Sequence, residues 1–123
     1  MDAQPKILIV EDDAIIAMDL RSTLEESGFR VFRPRATGEA AVQFAASECP
    51  NLVLMDIHLA GEMDGIEAAR LILEVCPIGL IFISGYLNPE VVAEAGVLKP
   101  FAFLGKPVIL EDLLETIRRW QEA

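Results

Sequence analysis

The sequence predicts an α/β fold in which a five-stranded parallel sheet is covered by helices on both faces. Five short apolar runs alternate with stretches in which apolar residues recur at helical spacing. Such an alternation is typical of repeated βα units, whose right-handed crossovers make the strands parallel. The runs at 7–10 and 52–55 are apolar at every position, as expected of strands buried on both faces. A chain of 123 residues is long enough for one domain with a single core.

Each strand is assigned to a short run of β-forming residues. The runs are 7–10, 29–32, 52–55, 80–83 and 101–104. The second run alternates more between polar and apolar residues and carries Arg30, which favours a position nearer an edge of the sheet. Five strands with helices on both faces is the size of the flavodoxin-like (βα)5 three-layer sandwich, whose strand order is 2-1-3-4-5.

The helices are predicted from apolar residues three or four positions apart and from residues that favour helix ends. Candidate N-terminal caps or starts are Asp13, Thr37, Asp64 and Asn88. The first helix would bury Ile16, Leu20 and Leu24. Glu67, three residues after Asp64, is expected to complete a capping box. The fourth helix is predicted to be short.

Composition argues against several classes of protein. The net charge of −10 speaks against nucleic acid as a direct partner, because phosphate binding needs a basic face. No apolar stretch approaches the roughly 20 residues of a membrane span. Residues 1–5 lack the basic and apolar segments of a signal peptide. Cys49 and Cys76 are too few for a disulfide framework, so reduced thiols and a cytoplasmic location are expected.

Four of the five predicted strands end in an ionic or reactive side chain. These residues are Glu11, Asp12, Asp56, Ser84 and Lys106. One such residue would mean little, because polar residues commonly follow a strand and cap the next helix. In a parallel sheet, however, the carboxyl ends of the strands share one edge, where ligands bind. Since strands 1 and 3 are neighbours in the predicted order, Glu11 and Asp12 should face Asp56 across one crevice.

Three carboxylates in one crevice repel one another unless a counter-charge is present. Mg²⁺ prefers oxygen ligands and usually combines one or two carboxylates with a phosphate group of a substrate. A carboxylate can itself be a nucleophile and form an acyl phosphate. An ammonium and a hydroxyl would then stabilise the charge on the transferred oxygens. Asp56 is the candidate nucleophile, because it lies between the acidic pair and the strands that end in Ser84 and Lys106.

The chain resembles the receiver domain of two-component response regulators, in a single-domain form similar to chemotaxis regulators. The segments that carry the resemblance are 7–13, Met55-Asp56, Met63-Asp64-Gly65, Ser84-Gly85 and Lys106-Pro107, in the family order. They extend from end to end of the chain, so residues 1–123 are expected to form one receiver domain, with no output domain attached.

The resemblance implies a phosphorelay function. Asp56 would accept a phosphoryl group from the phosphohistidine of a histidine kinase or of a histidine phosphotransfer protein. Glu11, Asp12 and Asp56 would bind Mg²⁺ together with the backbone carbonyl of His58. The chain would then be a phosphoacceptor that assists its own modification and its slow dephosphorylation, and would not be an enzyme.

The resemblance also implies how the modification is transmitted. Ser84 would hydrogen-bond the phosphoryl group, Lys106 would pair with it, and the peptide bond before Pro107 would be cis. Phe103 stands where an aromatic residue often changes rotamer, so it would follow Ser84 inward. The face made by helix 4, strand 5 and helix 5 would change as a result and contact a downstream protein or form a homodimer.

Two features depart from the common pattern of the family. The loop from Asp56 to Gly65 is one residue longer than usual and lacks the customary proline. His58 and Tyr86, two residues after Asp56 and Ser84, would place two rings at the mouth of the site. These rings would slow hydrolysis by restricting the attacking water, or they are simply exposed loop residues.

Other functions stay open on the sequence alone. The chain could be a receiver-like scaffold that signals without phosphate, or the excised receiver of a hybrid kinase or multidomain regulator. A phosphatase or mutase of the aspartyl-phosphate type would need an acid two residues after the nucleophile, where His58 stands. A flavodoxin-like binding module would need a phosphate-binding loop after strand 1, where three acids at 11–13 would repel the ligand.

Overall fold

The structure of the chain is a computed structural model that describes residues 4–123. The strands are β1 (Lys6–Val10), β2 (Arg30–Val31), β3 (Leu52–Asp56), β4 (Gly79–Ser84) and β5 (Ala102–Gly105). The helices are α1 (Ala14–Glu26), α2 (Gly38–Ser47), α3 (Gly65–Val75), α4 (Pro89–Gly96) and α5 (Leu110–Glu122). The stretch at 1–5 that carries no signal-peptide pattern lies mostly outside the described residues.

The five strands form one sheet in the order β2-β1-β3-β4-β5, and all four strand pairings are parallel. The predicted fold class and strand order are therefore confirmed. β3 lies at the centre, where Leu54 is paired with Ile9 of β1 and Met55 with Phe82 of β4. β2 is confined to two residues at one edge, which is shorter than the predicted run.

Two apolar clusters on opposite faces of the sheet make the three layers. Alternate residues of a strand point to opposite faces, so Leu8, Val53 and Phe82 belong to one cluster and Ile7, Leu52 and Ile81 to the other. The first cluster is completed mainly by small residues of α2 and α3, namely Ala41, Ala45, Ala68 and Ala69. The second is completed by larger residues of α1 and α5, namely Leu20, Leu24, Leu113 and Ile117.

Polar side chains cap four helices at the predicted positions. Asp13, Thr37, Asp64 and Asn88 each accept a hydrogen bond from a backbone N–H in the first turn of the following helix. The prediction of a capping box at α3 was wrong in one respect. Asp64 accepts the N–H of Glu67 at 2.8 Å, but the carboxylate of Glu67 pairs with Arg70 at 2.7 Å. α4 is short, with eight residues.

Two apolar residues lie outside the core that their spacing suggested. Ile16 is 36% exposed, and Ala17 occupies the buried position in that turn of α1. Phe101 is 39% exposed and precedes β5 rather than forming its first residue. The spacing of the apolar residues did not determine which of two adjacent residues in this turn of α1 faces the core.

The expectation of two reduced cysteines was also wrong. Cys49, between α2 and β3, and Cys76, at the C-terminal cap of α3, are joined by a disulfide with their Cα atoms 5.8 Å apart. Sequence spacing could not predict this bond, because it depends on where two helices end in space. Among residues 4–123, no helix combines the length and apolar character that a membrane span requires.

Candidate functional site

The ionic side chains predicted at the strand ends meet at the C-terminal edge of the sheet. Glu11 follows β1, Asp56 is the last residue of β3, and Lys106 follows β5. Lys106 Nζ lies 2.9 Å from Asp56 Oδ2 and 3.0 Å from Glu11 Oε1. Both carboxylates are buried, since Glu11 is 4% and Asp56 3% exposed. The structure therefore brings together three residues that are far apart in the chain.

The ammonium of Lys106 partly compensates the two buried carboxylates. Burial raises the pKa of Glu11 above its ordinary value, although hydrogen bonds from the backbone of Asp13 and from Lys106 oppose the shift. Burial by itself lowers the pKa of Lys106, but its hydrogen bonds to Asp56 and Glu11 outweigh that effect, and its pKa is raised. The single ammonium of Lys106 thus pairs with two carboxylates, so the site retains an excess of negative charge.

Three acids in this site can supply ligands to a cation. Glu11, Asp12 and Asp56 each offer a carboxylate oxygen, and these atoms all lie within 4.8 Å of one another. Oxygen ligands suit a hard divalent cation, and the exposed Asp12 leaves the site open to water, which Mg²⁺ usually retains. The donor set therefore fits Mg²⁺ in chemistry and in spacing.

A cleft of about 530 Å³ opens above these residues. Its lining comprises Glu11, Asp12, Asp13, Ile16, Asp56, His58, Gly85, Tyr86 and Lys106. Tyr86 is 65% exposed and His58 is also exposed, and both residues line this cleft. Asp56 lines this cleft, although its side chain is almost fully buried.

The β3–α3 loop (residues 57–64) is hydrogen-bonded to the acids. The N–H of His58 donates to Asp56 Oδ1 at 3.2 Å, and the N–H of Ala60 donates to Asp12 Oδ2 at 3.1 Å. The second contact was not predicted, because it depends on the path of a loop without regular structure. Asp12 therefore contacts the loop through one of its two carboxylate oxygens.

Gly65 lies against the backbone of the acidic residue. Its N–H donates to the carbonyl of Ile57 at 2.8 Å. A Cβ at this position would overlap the carbonyl oxygen of Asp56 and would lie 2.9 Å from the carbonyl carbon of Asp56 and from Cα of Ile57. The first residue of α3 can therefore approach the end of β3 only because it is glycine.

Ser84 makes different contacts from those expected of a residue that faces the cleft. Its hydroxyl is buried, donates to the carbonyl of Tyr86 at 3.2 Å and accepts the N–H of Tyr86 at 3.0 Å. The side chain thus fixes the turn after β4. Phe103 is half-buried and stacks on Phe82 with ring centroids 5.8 Å apart. The Lys106–Pro107 peptide bond is cis.

Comparisons with known proteins agree with this architecture. The family model for the response regulator receiver domain matches residues 7–118. The signal receiver domain of a modulated diguanylate cyclase from Desulfovibrio desulfuricans G20 is 36% identical, with a TM-score of 0.87 over 94% of this chain and 92% of that chain. A CheY-like receiver domain protein from Methanospirillum hungatei JF-1 is 31% identical, with a TM-score of 0.90 over 97% and 94%.

Longer proteins contain similar segments. The transcriptional regulatory protein PdtaR of Mycobacterium tuberculosis H37Rv is 32% identical over 91% of this chain and 54% of its own length. The phyllosphere-induced regulator PhyR of Methylorubrum extorquens is 36% identical over 86% of this chain and 39% of its own length. The chain thus spans about half or less of these two regulators. Because the family model covers almost all of the fold described above, the chain belongs to the response regulator receiver domain family of two-component signalling.

Proposed function

We propose that the chain is a phosphorylation-controlled switch and that Asp56 is the residue that accepts the phosphoryl group. The observation that carries the proposal is the buried Asp56 carboxylate, which contacts Lys106 and lies beside two further acids at an open cleft. A carboxylate with only a structural role would not need two further acids that are close enough to bind the same cation. Residues 1–123 would constitute one receiver domain.

The transfer is a substitution at phosphorus. A carboxylate oxygen of Asp56 forms a bond to the phosphoryl group of a phosphohistidine, the phosphorus–nitrogen bond breaks, and the imidazole leaves with a proton. Lys106, released from the free carboxylate, pairs with a phosphoryl oxygen. Glu11, Asp12 and Asp56, with the carbonyl of His58, would hold Mg²⁺, which supplies positive charge for the phosphoryl oxygens when it is bound. The partner is a histidine kinase or a histidine phosphotransfer protein.

The proposed signal passes from Ser84 to the face formed by α4, β5 and α5. A phosphoryl oxygen would compete with the carbonyl of Tyr86 for the hydroxyl proton of Ser84. Movement of Ser84 would leave space that Phe103 can fill from its half-buried position against Phe82. Exposed Val92 and Val97 on and after α4 give this face apolar surface for a downstream protein or a second copy of the chain. We place this exchange in the cytoplasm and expect no direct contact with nucleic acid.

The experiment that tests the proposal is modification by a small acyl phosphate in the presence of Mg²⁺. We expect intact-mass measurements to show the gain of one phosphoryl group on the wild type and on Asp19→Asn, an exposed control in α1. Asp56→Asn should show no gain, because an amide is a much weaker nucleophile than a carboxylate. Absence of modification in the wild type with all donors tested, including a phosphorylated histidine kinase, would favour a scaffold that works without phosphate.

His58 and Tyr86 are proposed to restrict hydrolysis of the acyl phosphate. Both line the cleft around Asp56, and their rings would limit the positions open to an attacking water. We expect His58→Asn combined with Tyr86→Glu to accelerate dephosphorylation about tenfold, which corresponds to roughly 1.4 kcal/mol in the barrier. Tyr86→Phe keeps the ring and serves as the control with an unchanged rate. Equal decay rates in the double variant and the wild type would show that the rings do not protect the phosphoryl group.

A further inference from the structure

Two cysteines lie on the side of the sheet where the strands begin, opposite the side that carries Asp56. Cys49 directly precedes the connection into β3, and Cys76 directly precedes the connection into β4. They are the only cysteines in the chain, and a disulfide joins them across 27 residues. We propose that Cys49 and Cys76 form a redox-active pair that changes between a disulfide and two thiols by exchange with small thiols.

The backbone holds the two cysteines close enough together for a disulfide to form. The N–H of Glu48, next to Cys49, donates to Phe44 at the end of α2, and the N–H of Cys76 donates to Ile72 at the end of α3. The Cα separation of 5.8 Å lies within the usual range for a disulfide of roughly 4.4–6.8 Å. These backbone hydrogen bonds do not involve the sulfur atoms, so they can hold the pair together in both redox states.

The two cysteines differ in exposure to solvent, and we infer from this difference which sulfur atom is attacked first. Cys49 is exposed, whereas Cys76 is only 3% exposed and belongs to the apolar cluster under α2 and α3. An incoming thiolate can therefore reach the sulfur of Cys49, and the sulfur of Cys76 becomes the leaving group. Cys76 Sγ lies 3.3 Å from the carbonyl oxygen of Ala45, which provides an acceptor for the S–H of a thiol at this buried position.

The exchange is balanced by two molecules of a small thiol such as glutathione. The first, as thiolate, bonds to the sulfur of Cys49, the protein disulfide breaks, and Cys76 leaves with the electron pair and takes up a proton. The second attacks the glutathione sulfur of this mixed disulfide and releases Cys49 as a thiolate, with oxidised glutathione as the other product. Oxidation is the reverse reaction and consumes oxidised glutathione.

The disulfide closes a loop that contains β3 and α3, so its state should affect stability. A cross-link reduces the conformational freedom of the unfolded chain, and this effect is lost on reduction. We expect the Tm of the wild type to fall by about 5 °C or more when the disulfide is reduced. The Tm values of Cys49→Ser and Cys76→Ser should not respond to reductant.

The test uses the whole chain in buffers of reduced and oxidised glutathione, followed by acid quenching, removal of glutathione, denaturation, alkylation with iodoacetamide and intact-mass measurement. The oxidised chain should take up no alkyl group, and the chain incubated natively in excess reduced glutathione should take up two. Two alkyl groups after incubation with oxidised glutathione would overturn the proposal, as would a disulfide that persists in the native chain in excess reduced glutathione.

The order of attack can be tested on the wild type alone, without relying on variants that fold. After brief exposure to reduced glutathione and rapid acid quenching, peptide mapping should locate glutathione on Cys49. In matched variants, Cys76→Ser, which keeps Cys49, should form a mixed disulfide with oxidised glutathione at least about ten times faster than Cys49→Ser. Predominant labelling of Cys76, or equal rates in the two variants, would contradict the assigned order.

Discussion

Gly65→Ala is expected to lower the free energy of unfolding by about 3 kcal/mol and to weaken divalent-cation binding. The added methyl group would overlap the carbonyl oxygen of Asp56, which belongs to a buried strand at the centre of the sheet. Neither side can move far, because α3 packs on the sheet and its first N–H is bonded to Ile57. The end of β3 must therefore shift, and the carboxylate of Asp56 shifts with it.

Urea unfolding and Mg²⁺ titration by calorimetry provide the measurements for this variant. Gly96→Ala is the matched control, because a Cβ there meets nothing within 4 Å and alanine favours the helix. The control should be unchanged or up to about 1 kcal/mol more stable. If Gly65→Ala unfolded at the same urea concentration as the wild type, the close approach between α3 and Asp56 would not be a constraint.

Lys106→Met is expected to destabilise the fold by about 3 kcal/mol at neutral pH without divalent cations. Lys106 is the ammonium that contacts both Glu11 and Asp56, which are almost fully buried. Removal of the ammonium leaves two buried carboxylates that repel each other. The same excess of negative charge should raise the affinity for Mg²⁺, so the cation should recover much of the lost stability.

The pH dependence of Lys106→Met has a definite sign. Burial raises the pKa of Glu11, and the variant lacks the Lys106 hydrogen bond that opposes this shift, so Glu11 binds a proton at a higher pH in the folded state than in the unfolded chain. The stability of the variant should therefore fall as the pH rises from about 4.5, the ordinary value for a glutamate, through the raised pKa of Glu11. Urea unfolding with a chelator or with Mg²⁺ measures both effects. Lys99→Met, on an exposed lysine, is the control. Equal stability of Lys106→Met and this control across that pH range would show that the contacts of Lys106 have little energetic weight.

The fold and the charged part of the site were predictable because both depend on topology. Runs that are apolar at every position indicate strands buried on both faces, and the alternation of strands with helices makes them parallel. Parallel strands bring their carboxyl ends to one edge, so Glu11, Asp56 and Lys106 had to lie near one another. No side-chain detail was needed for that inference.

Features that depend on local geometry could not be predicted in the same way. The hydroxyl of Ser84 faces the backbone of Tyr86 because a turn directly after β4 offers both a donor and an acceptor at close range. The contact between Asp12 and Ala60 requires the path of the β3–α3 loop. Gly65 offered a signal, since glycine directly after a capping acid suggests a close approach, but its neighbour could not be identified from the sequence.

The site formed by Glu11, Asp12, Asp56 and Lys106 depends on contacts between residues that are far apart in the chain, and this links its assembly to folding. Lys106 and Asp56 are 50 residues apart in the chain, and Asp12 and Ala60 are 48 apart. The ends of three strands must therefore be assembled before the acids and the ammonium meet. A nascent or partly unfolded chain presents isolated acids with little affinity for a cation. If Asp56 is the acceptor, phosphorylation is restricted to folded molecules. The fraction of molecules that can be phosphorylated in a sample then measures the fraction that is folded.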